Sequence, residues 1–232
     1  PDTAAEYRAR AESVRQAVRR RSWDEEAGLF RDGPDTIAFS EHAQVWAVLS
    51  GALEGSEAAR ALERAISRED VALCSFAMSH FLFRALSVSG LYDRTQELWR
   101  PWKDQLALGL TAWVEDPLRQ RSDCHGWSAL PLYEYVAETL GVKPLEPGYR
   151  TIVVEPRIAG LAYASGEAIT PRGTVRVHWT IENGLFRIDV GGPSGTPVVV
   201  RLPDGSERRA EDVTATRTWT CTIRDKEGNA CQ

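Results

Sequence analysis

Lys143-Pro144-Leu145-Glu146-Pro147-Gly148 divides this chain in two. Two prolines and a glycine in six residues make a linker of turn formers. The hydrophobic period changes across it. Upstream, apolar residues recur at the spacing of a helix face; downstream they alternate, as on a strand with one buried face. The pattern predicts a helical domain over 1–142 followed by a β-domain over 143–232.

Working back from the linker, the last helix runs through Leu130, Tyr133, Val136 and Leu140 to Gly141, with Pro131 tolerable near its start. Before it, the spacing of Leu98, Trp102, Leu106 and Leu110 predicts a helix from about 93 to 113, stopped by Pro117. A strongly apolar helix spans about 72 to 88, carries Phe76, Phe81, Leu82 and Leu86, and ends at Gly90. Ala59, Leu62 and Ile66 mark a further helix. Ser40 caps one that passes through His42, Gln44, Val45, Trp46, Val48 and Leu49 to Gly51. The first helix, residues 3 to 21, carries Tyr7, Ala11, Val14 and Val18 on one face.

Six antiparallel helices in succession put their connections alternately at two ends. The connections at 22–39, 67–71 and 114–122 fall at one end and are mostly long. Long loops on one end of a rigid scaffold are where sites tend to be built.

Working forward, Thr151–Val154, Thr174–Thr180, Leu185–Val190, Val198–Leu202 and Thr216–Ile223 read as strands, with Glu182-Asn183-Gly184 as a hairpin turn. Strands at this spacing predict an antiparallel β-sandwich. Arg224–Gln232 reads as a polar tail.

The chain has 232 residues and a net charge of −5 with both signs interspersed, which offers no basic face for nucleic acid. No apolar run approaches the roughly 18 residues of a membrane span, and no signal peptide is read. The chain begins at Pro1 and enters helical sequence at once, as a processed or excised piece would. Cys74, Cys124, Cys221 and Cys231 form no zinc-type spacing, so neither metal nor cofactor is expected. Cys74 and Cys124, in helical segments, read as buried thiols; Cys221 and Cys231 read as free thiols, although a pairing between them stays open. The cysteines do not fix a compartment.

The chemistry concentrates in Thr111-Ala112-Trp113-Val114-Glu115-Asp116-Pro117 and Arg121-Ser122-Asp123-Cys124-His125-Gly126-Trp127-Ser128-Ala129. This reading sets Glu115 at a helix C-terminus, whose negative dipole end suits a carboxylate that takes up a proton. Ser122 and Asp123 cap the next helix, with His125 and Trp127 in its first turn. Taken locally, the same residues also read as a polar corner around a packed tryptophan. His42 and Trp46 fall at the same end of the bundle, as substrate contacts or as packed core residues.

These residues closely resemble bacterial α-L-rhamnosidases of glycoside hydrolase family 78. The family pattern is roughly Gly-Leu-Thr-Thr-x-x-Glu, then Arg-Ser-Asp-Cys-His-x-Trp-Ser-Ala. Gly109–Glu115 follows the first half with Ala112 at the second Thr, and Arg121–Ala129 follows the second throughout. Gly148-Tyr149-Arg150, Thr170-Pro171-Arg172-Gly173, Ser40–Gln44 and Trp23–Phe30 are also similar, so the likeness reaches to about residue 210.

The resemblance implies the C-terminal half of a six-hairpin (α/α)6 barrel, then a small β-sandwich. It implies inverting hydrolysis of terminal α-L-rhamnosyl residues from a glycoside or polysaccharide, with Glu115 as general base and His125 and Trp127 against the sugar. The general acid of such enzymes lies in the first half of the barrel, so this chain alone is expected to be inactive, and either to pair with that half or to self-associate. A non-catalytic carbohydrate-binding fragment and another six-hairpin glycosidase or lyase are the alternatives.

Overall fold

A computed structural model describes residues 2–116 and 122–223. Pro117 as a helix stop, Arg121 of the motif, the tail from Arg224 and Cys231 lie outside the described residues. The chain forms two compact units, Pro1–Leu130 and Pro131–Gln232.

The first unit is helical: α1 (Asp2–Ser22), α2 (Glu41–Leu49), α3 (Gly55–Ser67), α4 (Phe76–Val88), α5 (Thr95–Leu98) and α6 (Arg100–Ala107). Its core gathers Leu29, Phe30, Val45, Leu62, Phe83, Leu86, Trp99 and Trp102. The long connection after α1 is not featureless. Strands β1 (Trp23–Asp24) and β2 (Leu29–Phe30) form a hairpin, and β3 (Phe39–Ser40) pairs in parallel with β4 (Val71–Ala72). That pairing sets the 23–40 and 68–75 connections side by side at the N-termini of α2 and α4, as the alternation of helix directions requires.

Ser40 caps α2, its hydroxyl accepting from Ala43 N, and Ser75 caps α4 by accepting from Met78 N. At their far ends both helices close in the same way. Gly51 N donates to Val48 O and Ala52 N to Ala47 O; Gly90 N donates to Ser87 O and Leu91 N to Leu86 O. Each is a Schellman closure with glycine in the left-handed conformation.

The helix expected over 93–113 differs. Pro101 lacks the donor that would bond one turn back, and the segment breaks into a 3-10 turn at Tyr92–Arg94, then α5 and α6. It ends well before Pro117. Gly109 has φ 73°, Gly109 N donates to Leu106 O and Leu110 N to Gln105 O, so a third Schellman closure stops α6. Glu115 therefore stands in a bend beyond the helix, not at its C-terminus, and the dipole argument for it does not hold. Nor do Ser122 and Asp123 cap a helix: the Ser122 hydroxyl donates to Cys124 O, and Asp123 is exposed. Cys124 is likewise exposed and non-helical rather than buried.

The second unit opens with α7 (Leu130–Glu134), which continues as one π-helical turn, Tyr135–Thr139. Two four-stranded sheets follow. One holds, in spatial order, β11 (Glu207–Ala210), β10 (Val198–Arg201), β6 (Ile152–Val154) and β5 (Val142–Pro144). The other holds β12 (Arg217–Thr222), β9 (Leu185–Gly191), β8 (Gly173–Glu182) and β7 (Tyr163–Thr170). Asn183 (φ 50°) and Gly184 (φ 74°) make the tight turn of the β8–β9 hairpin.

Within these two sheets all pairs are antiparallel except β6–β10. The chain between those two strands first builds three strands of the other sheet, and so long a crossover permits parallel pairing. Alternating β8 residues Val175, Val177 and Trp179 meet Phe186, Ile188 and Val198 in a separate core. Leu140 and Val136 join that core, and the fully buried Trp179 donates its indole N–H to Thr139 O at 2.9 Å. No described helix is long and apolar enough to cross a membrane.

Candidate active site

Glu115 and His125 stand on two arms of one loop. Glu115 N donates to Ser122 O (2.9 Å) and His125 N to Trp113 O (2.8 Å), so two backbone bonds tie the arms together. Val114, between Trp113 and Glu115, is buried in the helical core, and its N–H is taken by Gln105 Oε1 at 3.0 Å.

On the second arm His125 is extended (φ −130°), and Gly126–Ser128 form a single 3-10 turn in place of the expected α-helical first turn. That turn sets the Trp127 ring on the His125 ring, with centroids 3.9 Å apart and planes 35° apart. Trp127 remains 52% exposed, whereas Glu115 and His125 side chains are 14% and 29% exposed.

Between the arms, His125 Nδ1 lies 4.0 Å from Glu115 Oε2. That is too long for a direct hydrogen bond. Nδ1 is buried and has no hydrogen-bond partner among the described residues. A carboxylate, an imidazole and a flat, exposed aromatic surface thus stand together on one loop.

His42 and Trp46 stand apart from this trio in their described contacts. His42 is half-buried in the first turn of α2. Trp46 packs on Phe81 of α4 (centroids 4.9 Å apart) and lines a groove of about 760 Å³ whose other walls are Tyr7, Val14 and Val18 of α1 and the Phe30–Pro34 loop. Glu115, His125 and Trp127 do not line it.

Several supports went unread in the sequence. Gln44 is fully buried; its amide accepts from Phe30 N and donates to Phe30 O and Ser40 O, clamping the 23–40 connection to α2. Glu41, also buried, accepts from Cys74 N at 2.6 Å and so ties α2 to the entry of α4. Cys74, expected inside a helix, instead stands in extended chain before α4. Burial pushes the Glu41 carboxyl above the usual carboxylate range despite that bond, and burial with the neighbouring carboxylate raises the Cys74 thiol. Gln44 and Glu41 lie within a stretch singled out in the sequence, but only as neighbours of His42. Among the described residues no group of three or more His, Cys, Asp or Glu could hold a metal ion.

Comparison with known proteins gives this geometry its context. Residues 141–217 match the family described as bacterial alpha-L-rhamnosidase C-terminal domain. The chain is 25% identical over 213 residues to an alpha-L-rhamnosidase of Alteromonas sp. (strain LOR), covering 83% of this chain and 23% of that enzyme. Among solved structures, a GH78 family rhamnosidase of Bacillus sp. GL1 superimposes with a TM-score of 0.78 at 28% identity over 88% of this chain and 24% of its own. A Streptomyces avermitilis alpha-L-rhamnosidase, solved in complex with L-rhamnose, gives 0.70 at 18% identity over 94% of this chain and 24% of its own. The chain thus spans about a quarter of the length of these relatives. With them it shares the fold, half of an (α/α)6 six-hairpin barrel followed by a β-sandwich. The C-terminal domain match, the Alteromonas relative and these structural likenesses together make the chain similar to a C-terminal piece of the bacterial α-L-rhamnosidases of glycoside hydrolase family 78.

Proposed function

We propose that this chain supplies one wall of the active site of an inverting α-L-rhamnosidase that releases terminal α-L-rhamnosyl residues from a glycoside or polysaccharide. Residues 1–142 take the barrel role and 143–232 the sandwich role. Glu115 is the general base, and His125 and Trp127 hold the sugar. The observation that carries this reading is the approach of Glu115 Oε2 to His125 Nδ1, 4.0 Å apart, beside an exposed indole.

In an inverting site a carboxylate deprotonates water on the face opposite the leaving group, and a protonated carboxyl about 6.5–9.5 Å away protonates the departing oxygen. Glu115 takes the first role. The second is assigned to no residue of this chain. Trp127 offers a flat apolar surface to the methyl-bearing face of a deoxysugar, and His125 meets a hydroxyl.

The test is binding of L-rhamnose, followed by the fluorescence of the 232-residue chain or by calorimetry on the enzyme that contains it. His125→Ala and Trp127→Ala each weaken binding about tenfold, while Glu115→Gln binds within about threefold of the parent. Unchanged binding in both His125→Ala and Trp127→Ala would remove the sugar pocket from this loop.

A second expectation concerns α1. Of its residues only Ser22 is buried, and Tyr7, Val14 and Val18 stand exposed along the groove that Trp46 also lines. An apolar face of this kind is a site of association. In a complete barrel further helices cover it. Alone, the chain self-associates through it and binds an apolar dye, and Val14→Glu with Val18→Glu returns it to monomer in sedimentation. A monomeric parent with low dye binding would contradict this.

A further inference from the structure

Helix α6 touches the site loop at two points, one on each arm. Gln105 Oε1 accepts from Val114 N at 3.0 Å, one residue before Glu115. Trp102 Nε1 donates to Ser128 O at 2.8 Å, one residue after Trp127. Positions 102 and 105 are three apart, so they share one helix face.

Both side chains are buried, each 3% exposed. The Trp102 ring is locked edge-on between Phe76 and Trp99, at centroid distances of 4.8 and 5.3 Å. The Gln105 amide donates back to Pro101 O, a long bond at 3.5 Å. Between the two anchors the backbone bonds Glu115 N to Ser122 O and His125 N to Trp113 O join the arms.

We propose that Gln105 and Trp102 are positioning residues forming a two-point clamp, with Gln105 placing the arm that carries Glu115 and Trp102 placing the arm that carries His125 and Trp127. The kinetic form of the proposal rests on the roles given to those three residues above. The clamp itself does not. The separation between water-activating and sugar-holding groups is then set by one rigid helix face rather than by the loop. Reactions that depend on preset geometry lose rate steeply when a group moves by an ångström.

Two variants separate the arms. Gln105→Leu removes the acceptor for Val114 N, and Trp102→Phe keeps an aromatic ring but removes the indole N–H. In the enzyme that contains this chain, Gln105→Leu should lower kcat about tenfold or more with KM within about threefold. Trp102→Phe should raise KM about fivefold with kcat within about threefold. Gln105→Glu, which keeps an oxygen facing Val114 N, should recover kcat to within about threefold of the parent, as a merely space-filling role for Gln105 would not require.

Amide hydrogen exchange on the 232-residue chain gives a readout independent of activity. Gln105→Leu should speed exchange about fivefold at Val114 and Glu115 and leave Ser128 and Ala129 unchanged. Trp102→Phe should do the reverse. Equal acceleration on both arms in either variant, or on neither, would overturn the clamp. Retained turnover in Glu115→Gln would instead overturn the base assignment and the kinetic split with it, while the exchange pattern would still decide the clamp.

Discussion

Glu115→Gln in the enzyme that contains this chain is expected to lower turnover of an aryl α-L-rhamnoside about 10³-fold, within the range general base catalysis contributes. That corresponds to about 4 kcal/mol of lost transition-state stabilisation. Glutamine keeps the shape and the bond from its own backbone N–H to Ser122 O. It cannot take a proton from the attacking water. Because sugar contact is assigned to His125 and Trp127, KM should move little, and a fall in kcat at near-constant KM marks an interaction made only in the transition state.

Azide, an anion that needs no deprotonation, should restore turnover of an activated substrate in this variant and yield the glycosyl azide of inverted configuration. Turnover above about a tenth of the parent's, a loss under about 1.4 kcal/mol, would remove Glu115 from the role of base. No such rescue is expected for Gln105→Leu, where the base is displaced but present.

Gln44→Leu is expected to destabilise the helical unit by about 3 kcal/mol, because it leaves the buried N–H and C=O of Phe30 without partners at roughly 1–3 kcal/mol each. Leucine fills nearly the same volume, so the cost arises from stranded polar groups and not from a cavity. With an m-value near 2 kcal/mol/M, the urea midpoint falls by about 1.5 M. Exchange at Phe30 N should accelerate in parallel, since β2 is held to α2 there by a side chain. A midpoint within about 0.3 M of the parent would show that the 23–40 connection does not need this amide.

Much of the architecture was legible because it follows from local chemistry. The spacing of Val45, Val48 and Leu49, or of Phe76, Leu82 and Leu86, marks a helix whatever it packs on, and Gly51 and Gly90 close α2 and α4 where the sequence placed them. Alternation from Val175 to Trp179 and the Asn183-Gly184 turn specify the β8–β9 hairpin in the same way. Strand β7 was missed because its hydrophobicity does not alternate: the inward positions are the small or polar Ala164, Gly166, Ala168 and Thr170, while Tyr163 and Ile169 stand exposed.

The candidate site was legible as residue types and not as geometry. Glu115, His125 and Trp127 stand out as a carboxylate, an imidazole and an indole in a loop rich in turn residues. Their placement was misread, because Gly109 carried the same helix-ending signal as Gly51 and Gly90 while Pro117 drew the boundary too late.

What only the tertiary structure decided is the set of contacts between residues far apart in sequence: Gln44 with Phe30, Glu41 with Cys74, Trp102 with Ser128, and Gln105 with Val114. A buried glutamine or tryptophan shows in the sequence only as one more helix residue. Its hydrogen-bond partner is selected by where the chain returns, and that return is set by the packing of the whole helical core rather than by any local preference.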